Sequence, residues 1–495
     1  MEGPVRRLRA VIFSILITMH AAEAPAAGIT HSAIPEATVT QLTLEDVIAL
    51  AVRGNRGVKS AYLQRIAQKF DLYVAEGKFF PKMTVTSGLV NNRVDGSRVS
   101  SRNINTSTSV ALPIGTTLSV ATNNGLGSSV GNPYTTTVSL AQPLLKNGGL
   151  NANMASVRVA RLDEQINQLS LKSSLSLTVA QVIYTYRELL RAQEQRVIAS
   201  AALQRSKSLH EVNKVLIAAG RMAEVEIVQT EAEVANREVA LEEAENQIDS
   251  SRLALLTLLA IESRTPVVAV SPQNIRIRGA DLTQAMETAL SNQPDYRIAL
   301  LQVEKAKINF DYAKNQQLWD LSLVAGRTKT RGSLGNLGGN DAALSAGQTY
   351  DSSYAGLQLS IPLGDRSIEQ ATIHASVDLK SQNLRAEESR QVVEQRIRDA
   401  VRNVQTRWRQ LELSRKASEL SVLKLNTERE KLNVGRSSNF QILSFENDLR
   451  NAENARVNAE IAYLNAMTDL DDRMGTLLDI FGVPIVEPEL NTYEY

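Results

Sequence analysis

The chain contains no cysteine. That excludes disulfide frameworks, thiolate metal sites, thiol nucleophiles and a lipid anchor on an N-terminal cysteine. Its four histidines, His20, His31, His210 and His374, stand isolated, and neither a His-Glu-x-x-His helix nor a nucleophile elbow is written anywhere. Aromatic residues are only 4% of the sequence, few for a packed globular core of this length. Basic and acidic residues balance at 54 against 53, so no basic face advertises nucleic acid. The glycine-rich run Gly332 to Gly347 lacks the Gly-Lys-Ser/Thr ending of a phosphate cradle and opens no helix, which makes it an exposed loop. The acids Asp469, Asp471 and Asp472 read as a solvated helix face. Together these absences argue against an enzyme, a cofactor or a metal site.

Long apolar runs are also missing. The longest, from Ala10 to about Met19, is too short to cross the roughly 30 Å of a bilayer's hydrocarbon as a helix. It follows Arg6, Arg7 and Arg9 and precedes Ala22, Ala24, Ala26 and Ala27, the order of a secretory signal. Residues 1–27 are therefore expected to be a cleaved signal peptide, cut between Ala22 and Gly28. An exported chain without a spanning helix can enter a membrane only as a closed β-barrel.

Proline and glycine are absent where most chains use them often. From Asn151 to Arg264 there is no proline and one glycine, Gly220; from Arg366 to Met474 there is again no proline and one glycine, Gly435. Such stretches predict long antiparallel helical hairpins, with arms of about 80 Å at 1.5 Å per residue. The rods carry coiled-coil spacing, as in Val393, Ile397, Ala400, Val404, Trp408 and Leu411.

What is present is a duplication. A shift of 238 places puts Leu44 on Leu282, Ala51 on Ala289, Leu63 on Leu301 and Gly88 on Gly326, while Pro143 pairs with Pro362 at 219 and Gly220 with Gly435 at 215. The reading is a first structural repeat over 28–264, with strands at about 81–144 and a hairpin at about 150–262 whose tip is Gly220. A linker follows over 265–280. The second repeat covers 281–481, with strands at about 319–363 and a hairpin at about 366–480 whose tip is Gly435, and the tail is 482–495. Between short helices and hairpins the apolar period falls from 3.6 to 2, as at Leu321, Leu323 and Ala325 or Leu357, Leu359 and Ile361. The first repeat holds an extra alternating piece around Val110 to Val120, centred on Leu112, Pro113, Ile114 and Gly115, which is either an added hairpin or an extended loop.

This order of features resembles the TolC family of outer-membrane efflux and secretion proteins. The similar features are the twofold pattern, the segment Ala289 to Asp295, the strand exits Gln142-Pro143-Leu144 and Ile361-Pro362-Leu363, and the tips Ala219-Gly220-Arg221 and Val434-Gly435-Arg436. The resemblance implies a mainly α protein with a membrane β-barrel. The barrel would be trimeric, of twelve strands or more, and continued by a periplasmic α-helical barrel. It also implies passive passage of cargo to the exterior, with a periplasmic adaptor and an inner-membrane transporter of RND, ABC or MFS type as partners, or type I protein or peptide secretion. Few strands per chain independently demand closure by further copies. The rival from another class, an exported coiled-coil scaffold or adhesin, leaves the paired strand blocks unexplained.

Site expectations follow from that frame. The tips Ala219, Gly220, Arg221, Val434, Gly435 and Arg436 are candidates for adaptor docking, because each glycine is the only breaker in its rod. Glu224, Glu226, Gln441 and Ser444 are candidates for the periplasmic aperture; relatives carry aspartates where this chain has Gln441 and Ser444. Pro143 and Pro362 mark strand-to-helix corners. Phe79, Phe80, Tyr134, Trp319, Tyr350 and Tyr354 are candidates for an aromatic girdle contacting outer-membrane lipid.

Overall fold

The computed structural model describes residues 40–94, 97–126, 134–271, 281–331 and 349–485. The expected signal peptide, the loop Gly332 to Gly347, most of the linker and most of the tail lie outside these residues. In chain order the elements of the first half are β1 (Thr40–Leu42), α1 (Leu44–Gly54), α2 (Arg56–Glu76), β2 (Lys82–Val94), β3 (Ser97–Ala111), β4 (Thr117–Leu126), β5 (Tyr134–Pro143), α3 (Leu150–Asn153), α4 (Ala155–Ala218) and α5 (Val225–Leu259). The second half follows as β6 (Val267–Ala269), α6 (Leu282–Asn292), α7 (Pro294–Gln316), β7 (Asp320–Arg331), β8 (Thr349–Ser360), α8 (Ser367–Asn433), α9 (Asn439–Arg473) and α10 (Leu477–Ile480).

The duplication extends to individual caps. The Asn55 side chain accepts the Gly57 and Val58 N–H groups to start α2, and 238 places on Gln293 accepts those of Asp295 and Tyr296 to start α7. An amide side chain at this position satisfies two of the donors a helix start leaves orphaned. Packing repeats as well. Val47, Ile48 and Ala51 of α1 are buried against α4 and α5, as Ala285 and Ala289 of α6 are against α8 and α9. Ala51 and Ala289 are both fully buried, since a short side chain there lets two helices approach closely.

The hairpin arms are unequal, unlike the even arms of about 80 Å expected above. Helix α4 has 64 residues and α5 only 35, and α8 has 67 against 35 for α9. At 1.5 Å per residue the long arms reach about 100 Å and the short ones about 50 Å. Helices α2 and α7 fill the difference, packing on α4 and α8 beyond the ends of the short arms. Tyr186, buried on α4, ties the parallel pair β1–β6 to this shaft: its hydroxyl lies 2.9 Å from the Leu42 carbonyl and 2.8 Å from that of Val270, and accepts the Val270 N–H at 3.0 Å.

The remaining strands form one six-stranded antiparallel sheet in the order β2-β3-β4-β5-β7-β8. The first half contributes four strands and the second two. The segment around Val110 to Val120 is thus a hairpin, β3–β4, and the sheet is open at β2 and β8. No helix among the described residues is long and apolar enough to cross a membrane.

Candidate functional site: sheet face, helical tips and the seam between hairpins

Residues directly opposite in an antiparallel pair share a face, so the register sorts the sheet's two sides. One side carries Met83 and Val85 on β2, Val110 on β3, Leu118 and Val120 on β4, Val138 and Leu140 on β5, Leu323 on β7 and Leu357 and Leu359 on β8. The other carries mostly hydroxyl and amide side chains, among them Asn105, Ser107, Ser119, Ser139 and Thr328. Leu357 is 69% exposed and Met83 67%; an apolar face left open to this extent suits lipid. The apolar band sits low on β7 and β8 and climbs towards β2, as strands tilted across a membrane require. Above it on the same face, Arg327 grips Asp351 with two nitrogens, at 2.9 and 2.6 Å.

The register also distributes the aromatics. Phe80 and Trp319 are exposed just below β2 and β7, with Phe79 half-buried beside them, and Tyr134 lies on the apolar side at the opposite end. Tyr350 and Tyr354 stand on the polar side instead, Tyr354 covering Gly326 so closely that a Cβ there would sit 2.7 Å from its ring. Spacing along the chain placed them near a loop end; strand parity turns them away from the girdle face. Of the two corner prolines, Pro143 ends β5 and Pro362 lies just past β8.

At the far end of the shaft both long helices close with the same Schellman geometry. Gly220 has φ +68° and Gly435 φ +75°. The Gly220 and Arg221 N–H groups donate to the Ile217 and Leu216 carbonyls, and those of Gly435 and Arg436 to Leu432 and Lys431. Only glycine adopts this left-handed turn without strain. Ala219, Arg221, Val434 and Arg436 are exposed around the two turns, together with Val225 and Phe440. The tips touch each other: the buried Asn439 donates to Glu226 Oε2 at 3.1 Å and contacts Met222 Sδ at 3.4 Å. Glu226 is thereby held, Glu224 is exposed, and Gln441 and Ser444 are half-buried on α9.

Two turns into α9 stands an acid that reads in the sequence as a solvated helix position or a gating group. Glu446, 9% exposed, accepts Arg205 Nε of α4 at 2.8 Å and also binds Arg429 of α8. Arg237 of α5 donates to Asn447 at 2.6 Å. These contacts join the first hairpin to the second, and no local pattern announces partners 241 residues apart.

Nearer the sheet the same seam is polar again. Arg187 of α4, almost fully buried, donates to Asn465 at 3.1 Å and Thr468 at 2.8 Å of α9; burial pulls its guanidinium down to about 10, with Tyr184 and Asp471 acting against that. The acids read as a solvated face belong here. Asp471 is buried, Asp469 pairs with Arg473 at 2.8 Å, and Asp472 accepts the Ser176 hydroxyl at 2.5 Å. Burial raises the Asp472 carboxyl above its ordinary value and, with the nearby Asp469 and Asp472 charges, pushes the Tyr184 phenol up to about 12. Among the described residues no group of His, Asp and Glu is arranged to hold a metal ion.

Residues 285–476, most of the second half, match the model of the outer membrane efflux protein family. The chain is 22% identical to the proteases secretion protein PrtF of Dickeya chrysanthemi over 487 residues, covering 95% of this chain and 93% of that protein. Among solved structures it shares its fold with the CmeC outer membrane channel of Campylobacter jejuni, at TM-score 0.65 and 16% identity over 88% of this chain and 86% of that one. It shares it equally with the outer membrane protein VceC of Vibrio cholerae, at TM-score 0.65 and 15% identity over 87% and 96%. These relatives are channels and secretion components rather than enzymes.

Proposed function

We propose that the protein is the outer-membrane duct of a tripartite export system, a homotrimer whose sheets close into one barrel and whose helices continue it into the periplasm. The observation that carries the reading is the exposed apolar band on one face of an open sheet whose other face is polar. Lipid on one side and water on the other is what that surface accommodates, and the free edges β2 and β8 need a neighbour to pair with. Because the strand number is even, β8 runs antiparallel to β2, so copies join edge to edge without breaking the alternation.

The exposed tips around Gly220 and Gly435 dock a periplasmic adaptor, which couples the duct to an inner-membrane transporter. Gln441, Ser444, Glu224 and Glu226 lie within reach of that end and frame its aperture. The chain reaches the outer membrane by a signal peptide cleaved between Ala22 and Gly28 and, having no cysteine, carries no acyl anchor. Secretion of a protein or peptide is the second reading of the cargo, favoured by the likeness to the proteases secretion protein PrtF.

Membrane fractionation followed by mass measurement in detergent tests the proposal. The expected result is a heat-modifiable trimer in the outer-membrane fraction. A soluble periplasmic monomer would overturn it.

A further inference from the structure

Among the described residues the hairpin β3–β4 has no counterpart in the second half, where β8 pairs with β7 itself. Its turn is purpose-built. Leu112, Pro113, Ile114 and Gly115 form a tight reversal in which the Gly115 N–H donates to the Leu112 carbonyl at 2.9 Å, and the Leu112 N–H to the Thr116 carbonyl at 2.8 Å. Proline presets the second position, and Gly115, at φ +99°, supplies the left-handed residue that three-residue hairpin loops use.

The turn is also seated on the sheet's helical base. The Gly149 N–H donates to the Ile114 carbonyl at 3.1 Å, and the buried Thr116 hydroxyl binds Gln142 beside the corner proline. A Cβ on Gly115 would meet the Asn147 carbonyl at 2.6 Å, Asn153 Nδ2 at 2.7 Å and the Pro143 ring at 2.9 Å. A hairpin locked at its foot in this way is part of the wall, not a loop lying over it.

Face parity agrees. Val110 on β3 and Leu118 and Val120 on β4 fall on the same side as Val138 and Leu140 on β5, and Ser107 and Ser119 on the same side as Ser139. The hairpin carries both faces across the sheet, with Thr106 and Thr108 of β3 standing on the apolar side between Met83 and Val85 of β2 and Val120 of β4. It occupies wall that β2 and β5 would otherwise close by pairing directly, since those two strands run antiparallel and show the same parity.

Resting on the trimeric reading above, we infer that the β3–β4 hairpin widens the pore: three copies of a six-stranded sheet give an eighteen-stranded barrel in place of twelve strands. With strands about 4.8 Å apart and tilted about 40°, the backbone diameter rises from about 24 Å to about 36 Å. Less the side chains, the lumen grows from roughly 14 Å to roughly 26 Å, enough for a compact polypeptide segment. Its lining of hydroxyls and amides imposes little selection on the charge of what passes. The barrel is then a wide, permissive outlet, and selection falls to the helical end.

The test compares the full protein with a variant lacking residues 97–126, which leaves residues 95–96 and 127–133 as the link from β2 to β5. The probe is polyethylene glycol of graded size, presented from the barrel side of single channels, with trimer mass measured in parallel. The intact trimer should admit polymers about 1.5 to 2 times wider in hydrodynamic diameter than the deletion variant. Trimers with equal cut-offs would overturn the inference while leaving the trimeric reading intact; a mass other than trimeric would remove that reading itself.

Cysteine labelling on the full-length, naturally cysteine-free chain decides the matter even where the deletion variant does not assemble. A water-soluble maleimide should modify Ser119→Cys and Ala121→Cys, which face the lumen, and spare Leu118→Cys and Val120→Cys, which face lipid. Equal modification of the four would place the hairpin outside the wall.

Discussion

At the scale of single residues, the consequential groups are those the fold has buried against their nature. Asp472 lies where α9 meets α4 and α7, with Ser176, Asp295, Asp469 and Arg473 around it. Its raised pKa has burial as the largest cause, with Asp469 adding to it and the Ser176 hydrogen bond opposing. The folded protein therefore holds this proton more tightly than the unfolded chain, and stability falls as pH rises from the ordinary carboxylate range through the raised value. Above that value the penalty is fully present; below the unfolded pKa it vanishes. Asp472→Asn keeps an acceptor for Ser176 and removes the charge. It should raise the melting temperature at neutral pH by about 1–3 °C and flatten the gain in stability that the native protein shows on acidification. A variant melting lower than the native protein at neutral pH would mean that the Asp472 charge is a net stabiliser.

At the scale of elements, each hairpin depends on one reversal. Nothing lies within 4 Å of a Cβ added at Gly220 or Gly435, so substitution there is penalised by backbone conformation alone, about 1–2 kcal/mol for a left-handed residue. That is small against helices of 64 and 67 residues, and the shafts should survive it. Gly435→Trp is accordingly expected to leave trimer level and membrane insertion unchanged while reducing export more than tenfold, because the bulk is placed where we propose that an adaptor docks. Export assays in whole cells, with the trimer quantified beside them, check this; unimpaired export from the doubly substituted Gly220→Trp and Gly435→Trp protein would take the tips out of the interface.

At the scale of the whole molecule, the question is what would set selectivity at the periplasmic aperture we propose. A ring of like charges in a narrow passage binds cations, and of the residues proposed for that aperture Gln441 and Ser444 carry no charge. Gln441→Asp together with Ser444→Asp should strengthen cation selectivity in single-channel recordings and bring block by multivalent cations. Glu226→Gln should change little, since the bond from Asn439 survives with an amide oxygen as acceptor. Strong native cation selectivity that disappeared with Glu226→Gln would show that the gating acids are on the first hairpin.

Local and periodic features were legible in the chain before any coordinates. The duplication, the two tip glycines and the strand blocks are properties of short windows or of repeated windows, and backbone hydrogen bonding and side-chain period act over that range. The unequal arms were half visible, because Gly220 and Gly435 lie well past the middle of their proline-free stretches. Contacts across the chain were not legible. That Glu446 is held between Arg205 and Arg429, that Asp471 is buried, and that Tyr350 and Tyr354 face away from the apolar band all depend on partners or register brought together from distant segments. An alternating piece such as Val110 to Val120 has the same period whether it lies in a loop or a wall. The tertiary structure decided for the wall, because only there do Gly115 and Thr116 meet Asn147, Asn153 and Gln142, and only pairing with β5 gives its apolar residues a continuous face.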